Sequence, residues 1–356
     1  MRRFVTISSW ILFACVGVAL LVAIMFLVFL SVTQFRPASV ENPEIKGGKG
    51  RSIANTKEFS LMIWNIGYAG LGKEMDFFYE GGKRVKPDPD EFRKYLQGII
   101  ETVRAHDSAD FIFIQEADIQ SKRSYYTDQS SELSAVLPDH CFAYAKNYDC
   151  RYVPVPFYGP MGKVVSGIIS FSRFKPDSVS RIDFGTKFSW PKSLVFLKRC
   201  FIVLRFHLND ERDLVLINTH NSVFDEEGEL RKKELKMLND FMTNEYRKGN
   251  FVVAGGDWNQ NPRGFNMKKI QTGDRVKTIE LPFASGIFKD WRFVFDPGLP
   301  TNRDVDMSYQ KGKTKTTIID FFVVSPNITL ESVKTIETGF ENADHQPVIM
   351  KIKIAE

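Results

Sequence analysis

The N-terminal apolar run constrains this chain more than any other feature of its sequence. After Arg2 and Arg3 no charged residue occurs until Arg36, and the stretch from Trp10 to Leu30 is almost wholly apolar. About 20 helical residues at 1.5 Å each cross the hydrocarbon core of a bilayer. The run lacks the 3.6-residue period expected of a helix in a soluble core. Residues 1–35 are therefore predicted to form a transmembrane anchor.

The two arginines before the apolar run predict its orientation. Positive residues stay on the cytoplasmic side, so we expect a single-pass protein of the cytoplasmic membrane with its N-terminus inside and the rest outside. A cleaved signal peptide is one alternative, although its apolar region is normally only about 7 to 15 residues long. Lipidation at Cys15 is another, but Cys15 is followed by apolar residues rather than a polar tether.

The composition changes at residue 36. Residues 36–57 are rich in Pro, Gly, Lys, Glu and Asn and have no apolar period, so they are predicted to form a linker. Residues 58–356 contain no internal repeat and are predicted to form one domain. The net charge of +5 fits a phosphate-bearing substrate, but it fits an ordinary protein surface equally well.

The four cysteines exclude some classes of site. They form no CxxC pair and no Cys/His metal spacing, which argues against a zinc site and a disulfide scaffold. One bridge, between Cys141 and Cys150, remains an option if the domain is exported.

Short apolar runs alternate with helical patterns in the domain. A helix is predicted from Asp90 to Ala105, with Pro89 at its entrance, and a basic amphipathic helix is predicted to begin near Leu230 and end at Gly249. Strands are predicted at 59–64, 111–114, 167–171, 201–206, 214–218, 251–254, 316–324 and 347–354. Since only some strands are separated by helices, two packed sheets covered by helices are favoured over one doubly wound sheet.

Polar residues follow or precede these apolar runs, where a rigid scaffold presents catalytic groups. They are Asn65, Gln115-Glu116, Asn218-Thr219-His220, Asp257-Trp258-Asn259, Asp320 and Asp344-His345. Each alone is weak evidence, because an Asn after a strand is usually a turn residue and a lone His is usually structural.

Together and in this order, the motifs resemble the endonuclease/exonuclease/phosphatase superfamily, which includes apurinic endonucleases, neutral sphingomyelinases and inositol polyphosphate phosphatases. The resemblance covers about residues 58–356, and its most specific parts are Ile114-Gln115-Glu116, Gly256-Asp257-Trp258-Asn259 and Asp344-His345. It implies an α/β fold, a four-layer α/β/β/α sandwich of two packed mixed sheets, here preceded by one transmembrane helix. It also implies a metal-dependent hydrolase of phosphate esters.

The resemblance assigns the metal to Glu116, with Asn65 and Asp344 nearby. Carboxylate and amide oxygens suit Mg²⁺, which takes only one or two carboxylates from most proteins. Mn²⁺ shares these ligands and the octahedral preference, so it is the alternative ion.

The resemblance also implies the catalytic roles. Asp257 and Asn259 would hold the attacking water and a phosphate oxygen. Asp320 would pair with His345 and fix its tautomer, and His220 would contact the phosphate or the leaving group.

Two loops are expected to select the substrate. The first, Tyr68 to Asp88, combines aromatic and basic residues, which is typical of a nucleic-acid surface, of a lipid surface or of a lid packed on its own domain. The second, Asn147 to Lys163, is too rich in proline for a central strand and is expected to border the pocket. Asn218, Arg151 and Tyr152 are the expected substrate contacts.

Several functions remain open at this stage. The phosphate-ester substrate is a nucleic acid, a phospholipid or a small phosphorylated compound, so the enzyme is either a nuclease or a sphingomyelinase-like or phosphoinositide-type phosphoesterase. A catalytically silent binding module on the same fold and an unrelated membrane protein are the alternatives from other classes. The membrane is the expected partner of the N-terminal helix, and no protein partner is indicated.

Overall fold

A computed structural model describes residues 2–48, 50–208, 211–223, 228–265 and 287–354. The first element is the helix α1 (Arg2–Val32). Its segment Trp10–Val32, 23 residues long, is long and apolar enough to cross a membrane, and it lies outside the protein core. Length and composition of this kind fit a membrane span and a signal sequence alike.

The remaining helices and strands form one α/β domain. In chain order they are β1 (Val40–Glu41), β2 (Lys46–Gly47), β3 (Glu58–Asn65), α2 (Pro89–Ala105), β4 (Phe111–Asp118), α3 (Gln129–Ala135), β5 (Cys141–Val153), β6 (Gly162–Ser172), β7 (Ser178–Asp183), β8 (Cys200–His207), β9 (Asp213–His220), α4 (Glu229–Arg247), β10 (Phe251–Asp257), β11 (Arg292–Val294), β12 (Asn302–Arg303), β13 (Thr316–Thr317), β14 (Asp320–Val324), β15 (Ile328–Thr335) and β16 (Val348–Ile354).

The strands form two large mixed sheets. The first has the order β1-β7-β8-β9-β10-β14-β11 and the second the order β15-β16-β3-β4-β6-β5-β2. Only β9 with β10, and β3 with β4, pair in parallel among the described strands. The short strands β12 and β13 pair with each other. The mixed sheets predicted from the sequence are therefore confirmed.

Side chains along the central strands point alternately to the two faces of each sheet, and this alternation produces the four layers. Leu61 and Ile63 of β3 pack between the sheets against Leu214 and Leu216 of β9. The intervening Met62 points to the opposite face and packs with residues of α2 and α3. Val215 and Ile217 of β9 likewise pack with α4 on the outer face of the first sheet. Because successive side chains point to opposite faces, each sheet buries one face against the other sheet and one against helices, which confirms the α/β/β/α sandwich.

The segment 36–57 differs from the expected linker. Strand β1 extends the first sheet by pairing with β7, and strand β2 extends the second by pairing with β5. These short pairings satisfy backbone groups at the exposed edge of each sheet. The segment therefore runs along both sheets and is packed against the domain.

The proline-rich segment 147–163 is half strand and half loop. Strand β5 continues to Val153, and residues 148–153 pair with β6, whereas β2 pairs with β5 only at Cys141 and Phe142. Pro154, Pro156 and Pro160 all lie in the loop before β6 begins at Gly162. The segment is therefore not part of a central strand, as predicted. The predicted strand 316–324 is two strands, β13 and β14, in different sheets.

The optional bridge between Cys141 and Cys150 is not formed. Both thiols are free and buried, and both lie on β5. Nine residues of extended strand separate their Cα atoms by about 30 Å, far beyond the reach of a disulfide.

A charged cluster fastens the end of α4 to the first sheet. Glu245 of α4 accepts hydrogen bonds from Arg205 of β8 at 2.9 Å, from Asn250 at 2.7 Å and from Lys248 at 2.8 Å. Burial alone would raise the pKa of the Glu245 carboxyl, but these partners lower it to about 2. The ionised form is therefore stabilised in the folded chain.

Replacing Glu245 by Gln should destabilise the domain at neutral pH by about 1–3 kcal/mol, the range for hydrogen bonds to a charged group. The folded pKa lies below the unfolded value of 4.5. The contribution is therefore complete above pH 4.5 and is lost as the pH falls toward 2. Urea unfolding at a series of pH values should show the difference between wild type and variant shrinking below pH 4.5. Glu229→Gln, on an exposed part of the same helix, is the control and should change little; an effect of Glu245→Gln that is independent of pH would contradict the assignment.

Candidate active site

Strand β10 brings three predicted residues together at one end of the first sheet. Asp257 is paired in register with His220 of the neighbouring strand β9 and with Asp320 of β14 on its other side. Nε2 of His220 lies 3.4 Å from Oδ2 of Asp257. The polar ends of three adjacent strands therefore lie side by side.

The second sheet contributes Asn65 and Glu116 to the same place. Nδ2 of Asn65 donates to Oδ2 of Asp257 at 3.0 Å, across the gap between the sheets. Glu116 lies within a bulge in β4, between Ile114 and Ala117, and has a φ of 54°. Its Oε1 lies 3.7 Å from Nε2 of His220. The bulge interrupts the alternation of β4, so the buried Gln115 bonds to Asn218 between the sheets while Glu116 faces the cleft.

The turn after β10 positions Asn259. Its backbone N–H donates to Oδ1 of Asp257 at 2.9 Å, and its side-chain amide donates to the carbonyl of Asn221 at 2.9 Å. Asn259 has a φ of 51°, in the left-handed region that Asn tolerates better than most residues. The side chains of Asp257 and Asn259 are thus held on the same side of the turn.

His345 is held by Asp320. Nδ1 of His345 lies 2.8 Å from Oδ2 of Asp320, and Nε2 lies 3.0 Å from the side-chain amide of Asn302. The indole N–H of Trp64 donates to the His345 carbonyl at 3.0 Å. Asp320 of the first sheet therefore fixes the ring and Trp64 of the second fixes its backbone, with Nε2 directed toward the cleft.

The two histidines carry different charges. Burial alone would lower the pKa of His345, but the carboxylates of Asp320, Asp344 and Asp257 raise it well above its ordinary value. Burial, with Arg199 and His345 nearby, instead holds the pKa of His220 well below its ordinary value. At neutral pH the cleft therefore contains a protonated His345 and a neutral His220.

Two buried carboxyls of the site, Asp257 and Asp344, have raised pKa values. Burial raises the pKa of Asp257 to about 6, with Asp320 adding to the effect, although His345 opposes it. Burial raises the pKa of Asp344 to about 7, and the charge of Glu116 raises it further. Oδ1 of Asp344 has no hydrogen-bond partner among the described residues. A divalent cation would relieve both the repulsion between these carboxylates and the unpaired oxygen, so the residues present fit one.

Two ligand sets are conceivable for that cation. Ligand atoms of Asp257, Asp320 and His345 lie within 4.8 Å of one another. However, Asp320 and His345 already bind each other, and Mg²⁺ prefers oxygen ligands over imidazole. The cleft oxygens of Glu116 and Asp344, with Asn65 beside them, suit Mg²⁺ or Mn²⁺ better.

One open cleft of about 1080 Å³ contains the predicted catalytic and metal-binding side chains, except that of Asp320. They are Asn65, Glu116, His220, Asp257, Asn259, Asp344 and His345. Its remaining wall includes residues of both segments that were expected to select the substrate, namely Tyr68, Tyr79, Asn147, Tyr148 and Met161. It also includes residues that the sequence did not indicate: Arg123, Phe196, Leu197, Arg199 and Asn302. Arg199 is 7% exposed, and its Nη1 has no hydrogen-bond partner within the described ranges. Its only sequence signal was its position before the strand β8.

The predicted substrate contacts do not line this cleft. Asn218 is buried between the sheets, where it accepts from Gln115 and donates to the carbonyl of Ile169. Arg151 and Tyr152 lie near the end of β5 outside the lining, and the Tyr152 ring lies 6.0 Å from that of Phe26 in α1. Proximity in sequence to strand ends was misleading because alternation decides which face each side chain occupies.

The loop from Tyr68 to Asp88 packs on its own domain. Phe77 is buried and lies against Phe78 and Tyr79, with ring centroids 5.0 and 5.6 Å away. Phe77 and Tyr79 line the cleft. Of the three alternatives for this loop, the ordered lid agrees with the structure.

Comparisons with known proteins agree with this geometry. Residues 62–341 match the family model described as Endonuclease/Exonuclease/phosphatase family. The fold resembles an endonuclease/exonuclease/phosphatase from Beutenbergia cavernae, with a TM-score of 0.56 at 15% identity over 84% of this chain and 72% of that one. It also resembles D. rerio TDP2 complexed with a single-strand DNA product. The TM-score is 0.54 at 13% identity, over 84% of this chain and 100% of that one. No curated protein matches the sequence significantly.

A third similar structure is that of ANGEL2, a 2',3'-cyclic phosphatase, in complex with adenosine-2',3'-vanadate. The TM-score is 0.54 at 16% identity, over 88% of this chain and 99% of that one. At these identities the likeness of the three structures establishes the shared fold.

Replacing Asp320 by Asn should lower the pKa of His345, because the variant loses the carboxylate that holds Nδ1 while burial of the ring persists. Imidazole NMR of the metal-free full-length chain in detergent should show a ring protonated at pH 7 in wild type and neutral in Asp320→Asn. The exposed Asp306→Asn is the matched control and should leave the titration of His345 unchanged. Equal titration of His345 in all three proteins would contradict the pairing.

Proposed function

The chain belongs to the endonuclease/exonuclease/phosphatase family of metal-dependent phosphoesterases, and we propose that its cleft hydrolyses a phosphate ester with a divalent metal ion held by Glu116. The observation that carries the proposal is the convergence of Glu116, Asp257 and the Asp320–His345 pair in one cleft. These residues come from both sheets and from distant parts of the sequence. A coincidental set of strand-end residues would not meet in this way.

Glu116 and Asp344 are the proposed carboxylate ligands, with Asn65 adjacent. When bound, the metal ion neutralises charge on the phosphoryl oxygens and on the leaving oxygen. The carboxylates of this chain place that positive charge beside Asp257 and His345, where it also relieves the repulsion that raises the pKa of Asp344.

Asp257 is the proposed group that orients and deprotonates the attacking water. The N–H of Asn259 and the amide of Asn65 hold its two oxygens, so a water bound to it has a defined direction. Buried carboxylates with raised pKa values are suited to accept protons near neutral pH. Asn259 lies beside it and is proposed to contact a phosphate oxygen.

His345 is the proposed cationic donor to the phosphate. Asp320 keeps Nδ1 occupied, so Nε2 is the ring nitrogen that donates to a phosphoryl oxygen and stabilises charge that develops in the transition state. The amide nitrogen of Asn302, 3.0 Å from Nε2, turns away when the protonated ring donates. The neutral His220, close to both Glu116 and Asp257, is proposed to contact the phosphate or the leaving group without adding charge.

The proposed location is outside the cytoplasmic membrane, anchored by α1. The apolar span supports the anchor, and Arg2 and Arg3 before it support a cytoplasmic N-terminus. Because the segment 36–57 after α1 is paired with both sheets of the domain, the cleft would act close to the outer face of the cytoplasmic membrane.

Glu116→Gln should weaken Mg²⁺ binding and abolish most turnover, since a neutral amide replaces the charged ligand. We expect affinity to fall by more than about 10-fold, the loss typical even of an outer-shell partner. The purified full-length chain should be assayed with Mg²⁺, Mn²⁺ and EDTA on plasmid DNA, sphingomyelin vesicles and a phosphoinositide, with calorimetry for metal binding. Glu132→Gln, on the exposed face of α3, is the control. Metal binding without turnover of any substrate would favour the silent binding module.

Asp257→Asn should reduce kcat by about 100-fold or more, the usual contribution of a general base, while metal binding stays within a few-fold of wild type. The amide keeps the shape of the carboxylate but accepts no proton at neutral pH. The measurement is steady-state and single-turnover kinetics on the substrate that the wild-type assay described for Glu116→Gln identifies. A normal kcat with a raised KM would show that Asp257 only binds substrate.

A further inference from the structure

Two loops beside the cleft expose large apolar side chains. The loop between β5 and β6 presents Phe157, which is 98% exposed, and Tyr158, which is 71% exposed. The loop between β7 and β8 presents Trp190, which is 64% exposed. We call Val155, Phe157, Tyr158 and Trp190 the aromatic rim. Exposed aromatic residues clustered in this way mark interaction surfaces.

The bases of the two loops are joined into one structure. Val153 and Met161 flank the first loop, and they form one apolar cluster with Val195 and Leu197, which follow Trp190. The hydroxyl of Tyr148 on β5 also donates to the Val195 carbonyl at 2.7 Å. The aromatic rim therefore projects from a single packed base.

The membrane-spanning helix ends beside this base. The amide of Gln34, just after α1, donates to the carbonyl of Ser193 at 3.0 Å. Phe26 of α1 contacts Tyr152, which precedes the first loop, in an edge-to-face geometry with ring centroids 6.0 Å apart. Nζ of Lys146 on β5 lies 4.7 Å from the ring centre of Phe35.

The contact with Phe26 places the rim at the level of the bilayer. Phe26 lies six residues before Val32, the last residue of α1, which corresponds to about 9 Å along the helix. The apolar span of 23 residues is about 34 Å long, and a hydrocarbon core is about 30 Å thick. Phe26 would therefore lie about 7 Å inside the hydrocarbon. Tyr152, whose ring centroid is 6.0 Å from that of Phe26, lies within the outer part of the bilayer, close to the boundary where Tyr and Trp are enriched.

The same loops form the apolar wall of the catalytic cleft. Met161 of the first loop and Phe196 and Leu197 after the second line the cleft together with the catalytic groups. Exposed basic residues, Lys187 and Lys192, stand beside Trp190, and Nζ of Lys192 lies 4.2 Å from the ring centre of Phe188. Apolar side chains with basic neighbours suit a phospholipid surface.

We propose that the aromatic rim docks on the bilayer that anchors α1, so that the cleft faces the lipid surface and takes the phosphate ester of a phospholipid headgroup. The choice of substrate rests on the proposed phosphoesterase function, whereas the docking does not. A nucleic-acid surface would instead require a continuous basic groove along the cleft, and the wall nearest the rim is apolar.

The docking is tested by measuring depth in the bilayer. The full-length chain, carrying Cys15→Ala to remove the exposed native thiol, is reconstituted in nanodiscs containing phosphatidylcholine and phosphatidylglycerol. A spin label is attached at Phe157→Cys, or at Glu331→Cys as the control. Glu331 is exposed on β15, the edge strand of the second sheet that is farthest from β5.

The label at position 157 should collide with lipid-soluble oxygen and be protected from a water-soluble nickel chelate, and the label at 331 should show the reverse. Equal access of the nickel chelate to both labels would overturn the proposal. Protection at 157 that disappears on dilution of the chain to one copy per nanodisc would also overturn it, since a second copy would then be the partner.

The substrate class is tested by activity with the double variant Phe157→Ser, Trp190→Ser. Hydrolysis of a nanodisc phospholipid should fall about 10-fold or more, and hydrolysis of a soluble chromogenic phosphodiester should remain unchanged. Equal loss on both substrates, or turnover of DNA but of no lipid, would overturn the lipid assignment. No turnover of any substrate by the wild type would instead refute the phosphoesterase function, and the depth measurement would still decide the docking.

Discussion

The close approach of the two sheets just before Asp257 is the constraint on which the site depends. A Cβ on Gly255 would lie 2.5 Å from Phe322 of β14 and 2.9 Å from Ile63 of the opposite sheet. A Cβ on Gly256, whose φ is +146°, would lie 2.0 Å from the carbonyl of Thr219. Only glycine fits at both positions. The sheets can therefore come close enough at this end for Asn65 to reach Asp257 directly.

The close approach also concentrates charge. Glu116, Asp257 and Asp344 line one cleft with His220 and His345, and Asp320 lies behind His345. The cleft is at the edge of a dry core, where charge interactions are stronger than in water. Within the protein, Asp320 is compensated by a protonated His345, while the unpaired oxygen of Asp344 and the raised pKa of Asp257 remain. Such a site favours a divalent cation, which offsets the negative charge of the carboxylates. It also favours a phosphate, which offsets the positive charge of the cation and of His345.

The segment between α1 and the domain restricts how the catalytic cleft can be oriented relative to α1. Since residues 36–57 pair with an edge strand of each sheet, they leave little freedom for the domain to turn relative to α1. The contacts of Gln34 and Phe26 restrict it further. In the proposed membrane arrangement, α1 would set the direction that the cleft faces, with the aromatic rim on the side where α1 would enter the bilayer.

The sequence by itself determined the apolar N-terminal helix, the mixed two-sheet sandwich and the strand-end groups Asn65, Glu116, Asp257, Asp320 and His345, because apolar periodicity and strand-end motifs are local patterns. It did not indicate β15, whose exposed residues give little apolar alternation, or the pairing of residues 36–57. It predicted substrate contacts at Asn218, Arg151 and Tyr152, which lie outside the lining of the cleft. Only the tertiary structure decided these points, and only it brought Arg199 and Asn302 to the cleft. Strand register and the packing of distant loops determine which side chains share a space, and neither is encoded in the local spacing of residues.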